Sequence, residues 1–169
     1  MNVTTKKLSR AGLVAGLYIL LSLITFPIAS GAIQFRVSEA LCILPLIFPE
    51  TAFALAVGCM LSNLITGCAP LDIVFGSLIT LVAGVITIFT GKVIRNTAVK
   101  IFVGGLFPVI LNAFLLPLIW IWCYGAIEYM YIIQALFLIV SQSISVYVLG
   151  TPLYLAVRKI KQKGVGFLQ

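Results

Sequence analysis

The sequence predicts an all-helical membrane protein: a bundle of six spanning helices in a single domain over residues 1–169, with both termini on the cytoplasmic side. Three observations predict it. Apolar residues make up 62% of the 169 and charged residues only 9%, too few to give a soluble domain of this size its polar shell. The apolar residues gather into runs, most of them near the roughly 20 residues that a helix needs to cross a bilayer. Ten of the eleven Lys and Arg residues sit in three short stretches between those runs: Lys6, Lys7 and Arg10; Lys92, Arg95 and Lys100; Arg158, Lys159, Lys161 and Lys163. Basic residues beside span ends resist translocation, so such clusters mark the cytoplasmic side.

Residues 11–29 form the first run. The stretch Ala29-Ser30-Gly31 resembles a signal cleavage site, but the run is long for a signal peptide's apolar core and right for a retained span. A loop over residues 30–37 follows. The second run, residues 38–48, is short and ends at Pro49. Sidedness argues that it crosses: the first two basic clusters lie on the same side only if an even number of crossings separates them, and this segment makes the number four. The third run, residues 50–66, opens at Pro49-Glu50, a good helix start. The fourth covers residues 72–90 and opens on Asp72; the fifth covers 101–122. The sixth, residues 128–157, opens on Glu128 and is about 45 Å long as a helix, more than the hydrocarbon thickness. Gly150-Thr151-Pro152 is its expected kink.

On this topology nearly all the informative polarity lies on the outer side. Gln34, Arg36, Ser38 and Glu39 stand at the first loop, Asn63 and Thr66 at the end of the third helix, Asp72 at the start of the fourth, and Glu128, Tyr129 and Tyr131 at the start of the sixth. Phe35, Phe75, Trp120, Trp122 and Tyr124 flank them. Polar stripes continue into the helices: Tyr18, Ser22, Thr25 and Ala29 on the first, Asp72, Gly76 and Thr80 on the fourth, Gln134, Ser141 and Ser145 on the sixth. In lipid such stripes turn toward the bundle, so the outer half is expected to enclose a polar, aromatic-lined pocket. Plainer accounts stand beside this one. All four acids open helices, where they meet the helix dipole. Trp120, Trp122 and Tyr124 read as an interfacial belt. Arg36, the one basic residue outside, either pairs with Glu39 or belongs to a ligand-binding loop.

Several function classes are excluded or disfavoured. His is absent, which removes His-based triads, metal sites and proton relays. The four cysteines, Cys42, Cys59, Cys68 and Cys123, form no CxxC pair and read as packing residues. The net charge of +7 sits at span ends and forms no nucleic-acid surface. Gly84 and Gly91 are too far apart, and Val93 follows Lys92, so there is no phosphate-binding loop. No metal, cofactor or enzymatic activity is expected, and a transporter built this way needs an external motor. On the first helix, Ala11 and Ala15, with Gly12 and Gly16, carry the small-residue spacing that lets another helix approach, at the end away from the pocket.

The run Ile33-Gln34-Phe35-Arg36-Val37-Ser38-Glu39-Ala40-Leu41 resembles the signature of the QueT family. Ser62-Asn63-Leu64 and Asp72-Ile73-Val74-Phe75-Gly76-Ser77-Leu78 also match, and the resemblance covers essentially the whole chain. It implies the six-helix fold of the substrate-binding S components of energy-coupling factor (ECF) transporters, with a queuosine precursor captured from outside. It also implies a transmembrane T component and two cytoplasmic ATPases as partners, with Ala11 and Ala15 matching the AxxxA docking motif of the first helix. The expected ligand groups are Gln34, Phe35, Arg36, Glu39, Asn63, Asp72 and Phe75. Either Glu39 or Asp72 would take the two-donor amidine edge of a deazaguanine, Asn63 or Gln34 its carbonyl or pyrrole groups, and Phe35 or Phe75 its ring face. Two alternatives remain: an S component for another vitamin, and a channel or facilitator that works without a module.

Overall fold

The computed structural model describes residues 3–29, 34–125 and 130–163, and all the regular structure among them is helical. Its elements are α1 (Val3–Ile24), a short α2 (Phe26–Ala29), a 3₁₀ helix (Val37–Leu46), α3 (Thr51–Ile65), α4 (Pro70–Val93), α5 (Thr97–Tyr124), α6 (Tyr131–Ser143), a π-helical segment (Ile144–Leu149) and α7 (Gly150–Gln162). Four helices are long and apolar enough to cross a membrane: Val3–Ile24, Pro70–Val93, Thr97–Cys123 and the continuous stretch Tyr131–Gln162. The 3₁₀ helix and α3 are shorter apolar helices.

Local chemistry sets the boundaries and corrects several expected ones. α1 starts eight residues earlier than expected, taking Lys6 and Lys7 into the helix. It ends at Ile24 because Pro27 has no N–H to continue the ladder; instead Ile28 and Ala29 both donate to the carbonyl of Thr25, at 3.0 and 2.9 Å. α4 opens on Pro70, whose fixed φ suits a first helical turn. α5 is capped by Asn96, whose side chain accepts from the backbone N–H groups of Ala98 (2.9 Å) and Val99 (3.3 Å). It ends at Gly125, which holds φ 73°, a left-handed conformation that favours glycine.

The short second run is a 3₁₀ helix of 10 residues. At about 2.0 Å per residue it spans only about 20 Å, and every residue from Ser38 to Leu46 is buried. It therefore runs through the middle of the protein, with α1, α3, α4, α5, the π segment and α7 all packed against it. The irregularity expected at Gly150-Thr151-Pro152 falls one turn earlier, as the π segment. Pro152 leaves the Val148 carbonyl without its helical donor, and a widened turn accommodates the ring. Gly150 is required there by proximity: a Cβ at this position would lie 2.9 Å from the Ala40 carbonyl oxygen of the 3₁₀ helix.

One end of the bundle carries the basic clusters. There Arg10 pairs with Glu50 at 2.7 Å, and its guanidinium lies 4.5 Å from the centre of the Phe48 ring. Lys161 stands 4.7 Å from the same ring and donates to the Ile47 carbonyl at 3.4 Å. Glu50 was expected to meet the dipole of the third helix. It occupies the N-cap position of α3 but makes no capping bond; its carboxylate serves Arg10 instead. Arg10, a member of the first basic cluster, is buried.

Candidate functional site

At the opposite end, the polar residues picked out by the sequence converge around Arg36. Glu39, in the first turn of the 3₁₀ helix, is 2% exposed. Its Oε1 accepts from the Tyr18 hydroxyl of α1 at 2.7 Å. Its Oε2 accepts from the Cys42 thiol at 3.1 Å and from the Asn112 amide of α5 at 3.3 Å. Asn112 also donates to Gln142 Oε1 of α6 at 3.4 Å. One turn further along α1, the Ser22 hydroxyl donates to Ser38 at 2.8 Å. A buried carboxylate needs such donors to offset its desolvation.

Arg36 and Glu39 do not form the direct side-chain pair that was one reading of their spacing. Their bond is between backbones, Glu39 N–H to the Arg36 carbonyl at 3.2 Å. Among the described residues the half-buried Arg36 guanidinium donates no hydrogen bond and has no carboxylate within ion-pair distance. Burial works against its charge, but the fields of Tyr18, Cys59, Glu39 and Asp72 more than offset this and raise its pKa. Gln34, two residues before it, holds φ 45°, an uncommon conformation for a residue with a side chain. Its Oε1 is buried without a hydrogen-bond partner. Strain and an unanswered acceptor together make this loop a candidate site.

Asn63 and Asp72 meet on α4's glycine. Both are buried, and a Cβ on Gly76 would lie 3.4 Å from Asn63 Nδ2 and 3.9 Å from Asp72 Oδ1. A donor and an acceptor thus stand side by side over a bare stretch of helix. Among the described residues the Asn63 amide makes only a long contact to Cys59 Sγ, 3.6 Å, and the Trp120 side chain lies beside the Asp72 carboxylate. Of the expected aromatics, Phe75, one turn after Asp72 on α4, is half-buried with its ring 5.8 Å from that of Trp122, and Phe35, next to Arg36 in the chain, is half-buried.

The two tryptophans separate. Trp122 is 70% exposed, whereas Trp120 is 8% exposed and lies beside Asp72. Three residues in or beside the site escaped the reading as site residues: Asn112, Gln142 and Trp120. Asn112 carried a signal, being the single amide in the long apolar α5. Glu128, Tyr129 and residues 30–33 of the first loop lie outside the described residues. Ala11 and Ala15 are half-buried against the core formed by Val14, Tyr18, Leu41 and Leu55, and Gly12 and Gly16 next to them face open space. Among the described residues no group of His, Cys, Asp and Glu could hold a metal ion.

Long apolar helices, buried polar side chains gathered at one end and basic clusters at the other define a multi-pass helical membrane protein. Residues 8–159 match the family model described as QueT transporter. The chain belongs to that family, and is a transport protein. No curated protein sequence and no solved structure matches it.

Proposed function

We propose that the protein is the substrate-binding membrane subunit of an ECF-type importer and captures a 7-deazaguanine precursor of queuosine from outside the cell. The observation that carries the ligand assignment is the Asn63–Asp72 pair beside Gly76. The pyrimidine edge of a deazaguanine presents a carbonyl acceptor next to two N–H donors. Asn63 Nδ2 answers the carbonyl, and the Asp72 carboxylate accepts the two donors. Trp120 holds that carboxylate in place. Phe35 and Phe75 face the ring, Gln34 Oε1 accepts a further ligand N–H, and Arg36 supplies a positive charge at the mouth. Glu39, already engaged by three donors, supports the loop from beneath.

The rest of the reading follows the basic clusters and the family. The lysine-rich end is cytoplasmic, the 3₁₀ helix and α3 form the short second and third crossings, and the six segments place both termini inside. A transmembrane T component and two cytoplasmic ATPases supply the energy. Ala11 and Ala15 belong to the docking surface of α1, where Ala11→Trp blocks assembly with the T component and spares ligand binding; complex formation that survives this change places the docking surface elsewhere.

Equilibrium binding to the purified protein tests the ligand, using 7-aminomethyl- and 7-cyano-7-deazaguanine, guanine, riboflavin and thiamine. Saturable binding of a deazaguanine that the vitamins do not compete with supports the reading. Binding of riboflavin or thiamine instead overturns the ligand and keeps a substrate-binding subunit. Solute uptake by liposomes that hold this chain alone would overturn the dependence on a module.

A further inference from the structure

α1 is the most loosely held of the long helices. Only 17% of its apolar window is buried, against 39% for α4 and 50% for α5. Its buried residues are Arg10, Val14 and Tyr18, spaced four apart on one face, and three polar ties along that face join it to the rest of the bundle. Arg10 reaches Glu50 at 2.7 Å, Tyr18 reaches Glu39 at 2.7 Å, and Ser22 reaches Ser38 at 2.8 Å. The last two end within three residues of Arg36. Tyr18 is also 1% exposed and tightly wedged: a Cβ on Gly58 of α3 would lie 3.0 Å from its own Cβ. Its hydroxyl cannot follow another partner without α1 moving.

We propose that Tyr18 is a positioning residue that makes the seating of α1 on the bundle depend on whether the Arg36 loop is occupied. The inference rests on the reading that this loop holds the ligand. Glu39 divides its two oxygens between α1, through Tyr18, and the 3₁₀ helix and α5, through Cys42 and Asn112. Arg36 acts on the same carboxylate only through its field, because it has no direct partner there. A ligand that gives the guanidinium new partners changes the pull on Glu39. The carboxylate then shifts relative to the hydroxyl, and the loosely held helix takes up the change. The cost of reseating α1 is low because little apolar surface fixes it. A coupling of this kind is reciprocal: whatever displaces α1 also changes the affinity of the loop.

The test uses the full-length protein in lipid nanodiscs, with Cys68 and Cys123 replaced by Ser and an environment-sensitive fluorophore on Gly16→Cys. That position has room for a label, since nothing lies within 4 Å of a Cβ there. The probe ligand is 7-cyano-7-deazaguanine, whose neutral nitrile can accept from a guanidinium, and its affinity is measured separately by calorimetry. The expected result is a saturable fluorescence change in the otherwise unaltered protein. Tyr18→Phe is expected to bind within about threefold of it, as the loss of one neutral donor from a carboxylate that keeps two others predicts, and to lose the fluorescence change. Ser22→Ala, which removes a neighbouring tie that does not touch Glu39, is expected to keep it. Glu39→Gln leaves an oxygen for Tyr18 but removes the charge that Arg36 feels, and is expected to shrink the change by about half or more; this variant decides the matter if Tyr18→Phe does not fold. Binding with no fluorescence response, or a response that Tyr18→Phe and Glu39→Gln both retain, overturns the coupling and leaves the ligand assignment standing. Absence of binding by any deazaguanine overturns both.

Discussion

Glu39 and Glu50 bracket the same buried 3₁₀ helix and are held in opposite ways. Glu50 has a full ion pair with Arg10, closed at 2.7 Å and roofed by the Phe48 ring. Glu39 has three neutral donors, and among the described residues the arginine nearest to it in sequence makes no ion pair with it. A closed ion pair leaves nothing for a ligand to answer, and breaking it strands a buried charge. A carboxylate satisfied by hydroxyl, thiol and amide groups leaves the neighbouring guanidinium available. The comparison teaches that a similar acid and base in the sequence can be held in opposite ways: the Glu50 end is closed by its ion pair, and the Arg36 end is the one the proposed function assigns to the ligand.

The largest effect expected from this contrast is on stability. Glu50→Gln leaves the buried Arg10 without its counter-charge and is expected to cost about 3 kcal/mol or more, seen as a lower thermal midpoint in detergent. Replacing both partners together, Arg10→Met with Glu50→Met, is expected to recover most of the loss; a double variant as unstable as the single one would mean that the pair is not what holds this end. Asp72→Asn comes next. It is expected to lose about 2–3 kcal/mol of ligand binding, roughly 30- to 150-fold, with little change in the thermal midpoint, and calorimetry with a deazaguanine checks it.

Gly76→Ala sharpens the comparison further because its two effects differ in sign. Alanine favours the helix by up to about 1 kcal/mol, so the thermal midpoint is expected to hold or rise. Its methyl lies 3.4 Å from the Asn63 amide, so affinity is expected to fall about tenfold. The smallest effect separates the tryptophans: Trp120→Phe removes the indole N–H beside Asp72 and is expected to weaken binding by about fivefold, whereas Trp122→Phe is expected to leave it unchanged. Equal effects would return Trp120 to the aromatic belt.

The helical membrane fold was legible in the sequence because bilayer thickness and basic anchors act on whole segments, and composition averaged over a segment survives local irregularity. Boundaries were less legible where a single residue decides them: Pro27 ended α1 early, and Pro152 moved the expected kink into a π segment upstream. The candidate site residues were legible by kind. Gln34, Arg36, Glu39, Asn63 and Asp72 all stood out as polar groups in an apolar chain. Their partners were not legible, because pairing depends on helix rotation and on the course of the buried 3₁₀ helix. Spacing suggested Arg36 with Glu39, yet the acid is served by Tyr18 from 21 residues before it and Asn112 from 73 residues after it. It also suggested a helix-dipole role for Glu50, which instead meets an arginine 40 residues earlier.

The most direct test of the central claim measures deazaguanine affinity for Asp72→Asn and Glu50→Gln side by side, each at a temperature where it is folded. The account predicts that Asp72→Asn loses binding while Glu50→Gln, though less stable, binds within about threefold of the unaltered protein. Binding retained by Asp72→Asn and lost by Glu50→Gln would contradict it and move the site to the lysine-rich end.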